Sequence, residues 1–195
     1  MELADIAIRP ARRADAAHLA ILVDMAAEGL ASYMWREIAG EGESPAEIGR
    51  NRALREEGGF SYRNTWIAEA DGEPAGALVG YPIPDDGGHR LDVPEPVRAL
   101  VELEQNVPGY WYVNVLAVYA EFRRLGVGKA LLDHADLLGR EAGAPGMAII
   151  VASGNDRARR LYDRQGYRFV DQRKATEFPG GRRGDDWLLL TKPVA

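Results

Sequence analysis

The 195-residue sequence predicts a mixed α/β fold, and three observations support this class. A β-prone apolar run, a short glycine loop and an amphipathic helix follow one another across residues 112–135. Asp71-Gly72 separates two further strand-like runs and is a hairpin signal. After residue 145 the patterns run strand, helix, strand and strand. The chain is therefore expected to build a sheet flanked by helices.

The N-terminal quarter predicts one strand and a helix that carries an apolar face. Residues 3–9 alternate well enough for the strand. Asp15 is a candidate N-cap for the helix. One face of this helix is expected to hold Leu19, Leu22, Val23, Ala26 and Leu30. Gly29 lies within the pattern and is expected to weaken or bend the helix.

Two more helices and the hairpin complete the N-terminal half. Residues 33–39 favour a short helix. Residues 44–47 combine a serine cap, a proline at the first helical position and a glutamate at the third, so a helix should run from there to about Glu57. The hairpin strands are expected at residues 62–70 and 74–81.

The C-terminal half repeats short elements separated by Pro- and Gly-rich breaks. Residues 82–93 are rich in Pro, Asp and Gly and indicate a loop. Gly166 is a C-terminal signal for the helix before it. The expected helices cover residues 95–105 and 156–165, and the expected strands cover 112–118, 146–152, 167–173 and 187–191.

Composition excludes several classes of function. The chain has no cysteine, so it has no disulfide, no thiolate nucleophile and no cysteine-ligated metal. Its three histidines, His18, His89 and His134, are scattered and are expected neither to bind metal nor to act in catalysis. A net charge of −6 argues against a nucleic-acid partner and slightly favours cationic substrates such as amines. We expect one cytoplasmic domain over residues 1–195, with no membrane segment.

The glycine loop at residues 123–129 stands where a strand turns into a helix. A helix N-terminus offers unpaired amides and the positive end of a dipole, which suits phosphate. A Walker A loop would need glycine at Arg123 and Ser or Thr at Ala130. A dinucleotide fingerprint would need a third glycine at Leu131. The pattern that fits is R-x-x-G-x-G, preceded by a strand of the form L-x-V.

These residues resemble a known family. Leu116-Ala117-Val118 followed by residues 123–129 is similar to the pyrophosphate-binding motif of the GCN5-related N-acetyltransferases (the GNAT family), which depend on acyl-CoA. Residues 155–168, NDRARRLYDRQGYR, resemble that family's N-x-x-A-x-x-L-Y-x-x-x-G-F/Y-x block. The resemblance implies about seven mostly antiparallel strands flanked by helices, and acetyl-CoA as cosubstrate without a metal. Compared with the fold of that family, residues 82–108 are a long insertion between strands three and four. This insertion is expected either to shape substrate access or a dimer interface, or to be a variable surface loop.

The resemblance also implies a set of cofactor-binding residues. The pyrophosphate would lie on backbone amides from Arg124 to Lys129, and the pantetheine arm would lie alongside Leu116 and Val118. Asn155 would hydrogen-bond pantetheine, although an N-cap is the alternative for this residue. The implied residues are Leu116, Ala117, Val118, Arg123, Arg124, Leu125, Gly126, Val127, Gly128, Lys129, Asn155 and Arg159.

Tyr162 is the candidate general acid. A phenol has a pKa near 10, close enough to that of a thiol to protonate a departing thiolate. The family often uses a tyrosine at this place, and a packing tyrosine is the alternative.

No carboxylate stands where the family usually has its base. Tyr112 and Asn114 occupy the matching face of strand four and could position a water molecule. Ile150 stands where some relatives that acetylate protein N-termini carry glutamate. Glu28 or Glu104 could instead reach in from a helix, with a surface position as the alternative for each.

The resulting hypothesis is transfer of acetyl from acetyl-CoA to an amine by direct attack in a ternary complex. The acceptor would be a small-molecule or peptide amine. A non-catalytic acyl-CoA-binding module and a domain that binds another nucleotide stay open as alternatives, and so does a homodimer, which is frequent in the family.

Overall fold

The computed structural model describes residues 5–84, 93–181 and 186–194 of the chain. Across these ranges it contains seven strands and six α-helices. The strands are β1 (Ile6–Pro10), β2 (Thr65–Ala70), β3 (Glu73–Pro82), β4 (Trp111–Val118), β5 (Gly146–Ala152), β6 (Arg168–Lys174) and β7 (Asp186–Pro193). The helices are α1 (Ala16–Ala26), α2 (Leu30–Glu37), α3 (Pro45–Ala53), α4 (Glu95–Glu104), α5 (Val127–Glu141) and α6 (Asp156–Arg164).

The strands form one sheet in the order β1-β2-β3-β4-β5-β7-β6, which confirms the mixed α/β class with seven mostly antiparallel strands. The chain divides into two compact units. The first unit takes Met1–Gly80, Asn114–His134 and Pro179–Gly181. The second unit takes Tyr81–Val113, Ala135–Phe178 and Arg182–Ala195. The single domain over residues 1–195 stays a prediction.

In the first unit, helices α1 to α3 cover apolar strand residues. The buried core combines Leu19, Leu22, Trp35, Ile67, Val79 and Val115 with small residues between them. Strands β1 and β2 pair antiparallel, as do β2 and β3. The turn between β2 and β3 is the predicted one, because Asp71 and Gly72 have φ of 51° and 83°.

Two predicted helix boundaries are wrong. Gly29 has φ of 89°, so α1 ends at Ala26 and Leu30 begins α2 instead of extending the face of α1. The capping box of Ser44 and Glu47 starts α3 as predicted. That helix nevertheless ends at Ala53, not near Glu57. Beyond its end, side chains bind the backbone: Ser61 Oγ donates to the Arg55 carbonyl (2.5 Å) and Asn64 Nδ2 donates to the Gly58 carbonyl (3.0 Å).

The second unit is built on β5, β7 and β6, which pair antiparallel. Strand β4 adds to β5 in parallel through three residues of each strand, Trp111–Val113 and Met147–Ile149. Helix α4 packs on β6 and β7. The core of this unit comprises Ile83, Leu103, Val107, Tyr112, Ala148 and Leu189.

The described part of the 82–108 insertion is anchored in this core. Ile83 donates its amide to the Tyr110 carbonyl (2.8 Å), and Gly109 donates to the Ile83 carbonyl (3.0 Å), so the two ends of the insertion are held together. Leu103 and Val107 are buried. Asn106 Nδ2 donates to Asp171 Oδ2 on β6 (2.8 Å). The helix of the insertion is therefore a structural part of the second unit.

Candidate active site

The glycine loop has the backbone of an anion-binding turn. Arg124 and Gly126 adopt φ of 68° and 93°, both in the left-handed region. Helix α5 then begins at Val127, and the hydrogen bond from the Ala130 amide to the Gly126 carbonyl spans 3.0 Å. The amides that precede Ala130 are those of the first turn, which have no acceptor within a helix. No acidic residue lies in this turn. The loop therefore fits a bound phosphate.

The side chains of the glycine loop are less well placed to bind phosphate than its backbone amides. Arg123, Arg124 and Lys129 are exposed. Arg123 Nε donates to the Val118 carbonyl at the end of β4 (3.2 Å). Lys129 Nζ lies 2.6 Å from Asp133 Oδ2, so part of its charge is already balanced. The Val127 side chain is buried, so it cannot contact a ligand at the surface of the loop.

Strand β4 pairs with β5 only as far as Val113. Its pairing with β5 covers residues up to Val113 and Ile149, although β4 continues to Val118. Over Asn114–Val118 the exposed and half-exposed residues alternate with buried ones. Leu116 and Val118 are half-exposed and Ala117 is buried. The two predicted pantetheine-facing residues thus share one accessible face of the strand.

Asn155 has the structural role that the sequence left open. It is the N-cap of α6, and its Oδ1 accepts a hydrogen bond from the Ala158 amide (3.1 Å). Capping uses the side-chain oxygen, whereas a bond to a pantetheine carbonyl would use the side-chain nitrogen. Arg159 is exposed, and its Nη1 donates to the Ser153 carbonyl (2.9 Å). Its cofactor contact stays a prediction.

Tyr162 is a buried side chain on α6, only 5% exposed. Its ring centre lies 5.9 Å from that of Tyr167. Burial raises the pKa of Tyr162 above the ordinary phenol value, so the hydroxyl is protonated at neutral pH. The same burial makes the phenol a weaker acid. The pKa of a thiol in the same surroundings would also be raised. The pKa values of the phenol and of the leaving thiol would therefore stay close to each other.

Tyr112 and Asn114, the two candidate water-positioning residues, differ in surroundings. Tyr112 belongs to the second unit and is 4% exposed. Burial, and after it the charge of Glu104 on α4, raises the pKa of Tyr112 well above its ordinary value. Asn114 belongs to the first unit and is exposed. Glu104 is half-buried. Glu28 lies in the turn between α1 and α2 with φ of 52°.

The two histidines in the described part of the chain, His18 and His134, each lie beside an aromatic side chain. His18 Nδ1 lies 2.9 Å from the Tyr119 hydroxyl. His134 is half-buried, and its ring centre lies 5.8 Å from that of Trp66 in an edge contact. His89 lies outside the described residues. Across residues 5–84, 93–181 and 186–194, no three His, Asp or Glu side chains are grouped so that they could hold a metal ion.

One buried cluster was missed by the sequence analysis. Lys192 Nζ lies 2.6 Å from Asp136 Oδ2 and 4.9 Å from the ring centre of Tyr167. The Tyr167 hydroxyl is buried and has no hydrogen-bond partner in the described part of the chain. No local pattern could have signalled this cluster, because Asp136 and Lys192 are 56 residues apart.

Solved structures share this fold. An acetyltransferase matches with a TM-score of 0.69 and 23% identity over 97% of this chain and all of its own. An N-acetyltransferase from Staphylococcus aureus Mu50 matches with a TM-score of 0.68 and 17% identity over 95% of this chain and all of its own. The NatC complex bound to Gag peptide and CoA gives a TM-score of 0.60 and 18% identity over 98% and 99% of the two chains.

The sequence itself identifies the family. The model of the Acetyltransferase (GNAT) family matches residues 27–167, which is most of the chain. The chain therefore belongs to the GNAT acetyltransferase family, and the resemblance seen in its motifs is confirmed. A search of curated proteins finds no match. None of the helices in the described ranges is both long and apolar enough to cross a membrane.

Proposed function

We propose that this protein transfers an acetyl group from acetyl-CoA to an amine. The observation that carries the proposal is the family match over residues 27–167, which contains both the glycine loop and Tyr162. The NatC complex, which is similar in fold, binds CoA, and this supports the same cosubstrate here. When bound, acetyl-CoA supplies the acetyl group as a thioester.

The loop from Arg124 to Lys129 would hold the pyrophosphate. Its support is the left-handed backbone at Arg124 and Gly126 together with the first amides of α5. Leu116 and Val118 would line the pantetheine arm with their half-exposed side chains and the β4 backbone. Asn155 would add a hydrogen bond at the start of α6.

Tyr162 would protonate the sulfur that leaves when the amine attacks. Its support is a buried, protonated hydroxyl on the helix that follows Asn155. The amine would attack the thioester directly. The absence of cysteine excludes a cysteinyl intermediate, and a ternary complex then needs no other nucleophile.

The acceptor would be a small-molecule or peptide amine. A net charge of −6 favours cationic acceptors and disfavours nucleic acid as the partner. A homodimer is compatible with this proposal but is not required by it.

The test is a panel of amines with acetyl-CoA, with release of the CoA thiol followed by a thiol-reactive dye. Tyr162→Phe should lower kcat at least tenfold while CoA affinity changes little. Tyr167→Phe is the matched control, because it removes the neighbouring buried hydroxyl, and it should retain kcat. Wild-type binding of CoA without turnover on any amine would favour the binding module. Stabilisation by ATP or NAD but not by CoA would contradict the proposed cosubstrate.

A further inference from the structure

Gly76 of β3 lies directly against the backbone of β4. A Cβ atom built on Gly76 would stand 2.5 Å from the Ala117 carbonyl oxygen and 3.3 Å from the Cα and Cγ2 atoms of Val118. Real Cβ atoms essentially never come within 3.0 Å of another heavy atom in this way. The Ala117 carbonyl therefore occupies the space that a side chain on Gly76 would need.

Strand β3 is fixed at this place from its other edge. Gly76 pairs there with Ala68 of β2, and Ala77 pairs with Ile67. Ala68, Ala77 and Ile67 are all buried, with 1% exposure or less. Because this part of the sheet is closely packed, a side chain on Gly76 would displace the Ala117 peptide group instead of moving β3.

The contact sets the direction in which the Val118 amide points. The peptide bond between Ala117 and Val118 is trans, so its C=O and N–H groups point in opposite directions. The Ala117 carbonyl points toward β3, and the Val118 N–H therefore points away from it. The next groups agree with this alternation. The Tyr119 amide donates to the Ala75 carbonyl of β3 (2.9 Å), whereas the Val118 carbonyl accepts from Arg123 Nε (3.2 Å).

The side of β4 that faces away from β3 has no partner strand at Val118. In the described part of the chain, the pairing of β4 with β5 ends at Val113. Val118 is half-exposed. An amide at the accessible edge of a strand can donate to an extended chain that is added there. The pantetheine arm is such a chain, and its amide carbonyls accept hydrogen bonds.

We propose that Gly76 is a positioning residue for the cofactor. Its missing side chain lets the Ala117 carbonyl lie against β3, and this directs the Val118 amide toward the pantetheine arm. The inference rests on the proposed function, because it requires that acetyl-CoA lies alongside Leu116 and Val118. It adds a residue of β3, which neither sequence motif contains, to the determinants of cofactor binding.

Gly76→Ala tests the proposal through the affinities for two ligands. CoA carries the pantetheine arm, whereas adenosine 3′-phosphate 5′-diphosphate is CoA without it. The added methyl group must push the Ala117 carbonyl about 1 Å away to reach ordinary contact, which misdirects the Val118 amide. Calorimetry should show CoA binding weakened about tenfold, as for a lost hydrogen bond, and binding of the shorter nucleotide within about twofold of wild type.

Val118→Pro tests the amide itself. It removes the N–H that points away from β3 and leaves the bond from the Tyr119 amide to Ala75 in place. A strand tolerates proline where its N–H has no partner strand. This variant should show the same selective loss, about tenfold for CoA and within about twofold for the shorter nucleotide.

Gly49→Ala is the matched control within the first unit. A Cβ on Gly49 would stand 2.4 Å from the Trp35 ring, so the overlap is as close, but it is with a side chain of α2 instead of the backbone of β4. This variant should unfold at a lower temperature and keep wild-type affinity for both ligands. Thermal unfolding of every variant establishes that it is folded.

Wild-type CoA affinity in folded Gly76→Ala or folded Val118→Pro would overturn the positioning role. Equal weakening of CoA and of the shorter nucleotide would overturn it too, because the effect would then not be specific to the pantetheine arm. A wild-type protein that does not bind CoA would instead overturn the proposed function.

Discussion

Lys192 and Asp136 form an ion pair that is largely shielded from water, with Nζ and Oδ2 2.6 Å apart and side chains 10% and 22% exposed. The pair joins β7 to the second half of α5. Lys129 and Asp133 form a pair of equal length on the same helix, but their side chains are 63% and 49% exposed. Comparing the two pairs therefore shows how burial changes the contribution of an ion pair to stability when the distance is the same.

Lys192→Met should lower the free energy of unfolding by about 3 kcal/mol, because it leaves the Asp136 carboxylate shielded and without its cation. Lys129→Met should cost about 0.5 kcal/mol or less, as is typical of exposed pairs. Urea unfolding of both variants measures the difference. Equal losses would show that burial does not set the strength of the Lys192 pair.

Tyr167→Phe should leave the free energy of unfolding unchanged or raise it by about 1 kcal/mol. The Tyr167 hydroxyl is buried without a hydrogen-bond partner among the described residues, so its removal relieves a desolvation cost and keeps the ring below Lys192. Thermal unfolding at neutral pH provides the measurement. A loss above about 1 kcal/mol would mean that the hydroxyl has a partner, such as a buried water molecule.

Asp15→Asn should lower the free energy of unfolding by about 2 kcal/mol at pH 7. Arg9 donates two hydrogen bonds to Asp15 (2.8 and 3.0 Å), and the Arg12 amide donates a third (2.6 Å). Burial acts to raise the pKa of Asp15, but these bonds outweigh it and hold the pKa below the ordinary 3.8.

The sign of the pH dependence follows from that lowered pKa. The stabilisation by Asp15 is complete above its unfolded pKa and is lost as the pH falls through the lower folded pKa. The gap between wild type and Asp15→Asn should therefore be constant above about pH 5 and shrink below pH 4. Urea unfolding at several pH values measures it. A gap that widens on acidification would contradict the assignment.

Gly126→Ala should weaken CoA binding about tenfold and also cost about 1–2 kcal/mol of stability, because its φ of 93° is strained for alanine. A Cβ there would meet only Ile6 Cδ1, at an ordinary 3.7 Å, so the loss of affinity would not reflect a clash within the protein. Gly143→Ala is the matched control, with φ of 65° and no atom within 4 Å of its Cβ. Calorimetry with CoA should show wild-type affinity for Gly143→Ala. Equal weakening in both variants would indicate strain instead of a phosphate contact.

Local sequence patterns predicted those elements of the fold that depend only on neighbouring residues. Strand β5 occupies the predicted residues 146–152, and Asp71-Gly72 makes the predicted turn, because alternation and turn chemistry act over a few residues. The break at Gly29 was underestimated, since an apolar pattern continues across it and only its positive φ reveals two helices. The early end of α3 depends on side chains that follow it in the chain, Ser61 and Asn64.

The candidate site divides in the same way. The glycine loop is formed by neighbouring residues, and so is the cap that Asn155 makes with Ala158. Each could therefore be predicted from a short stretch of sequence. The position of Glu104 depends on where α4 packs on β6 and β7. That position is set by contacts distant in sequence, such as Asn106 with Asp171 and Arg173 with Glu102, which join residues 65 and 71 positions apart. No periodicity encodes such pairs, so the sequence could name Glu104 but could not place it.

The most direct test of acetyl transfer uses acetyl-CoA labelled in its acetyl group and a panel of small-molecule and peptide amines. Mass spectrometry of the products locates the label, and a thiol-reactive dye counts the CoA released. The proposed function predicts label on the nitrogen of an accepted amine, with one thiol released for each acetyl transferred. Label that stays on CoA with every amine, while CoA still stabilises the protein against heat, would contradict it.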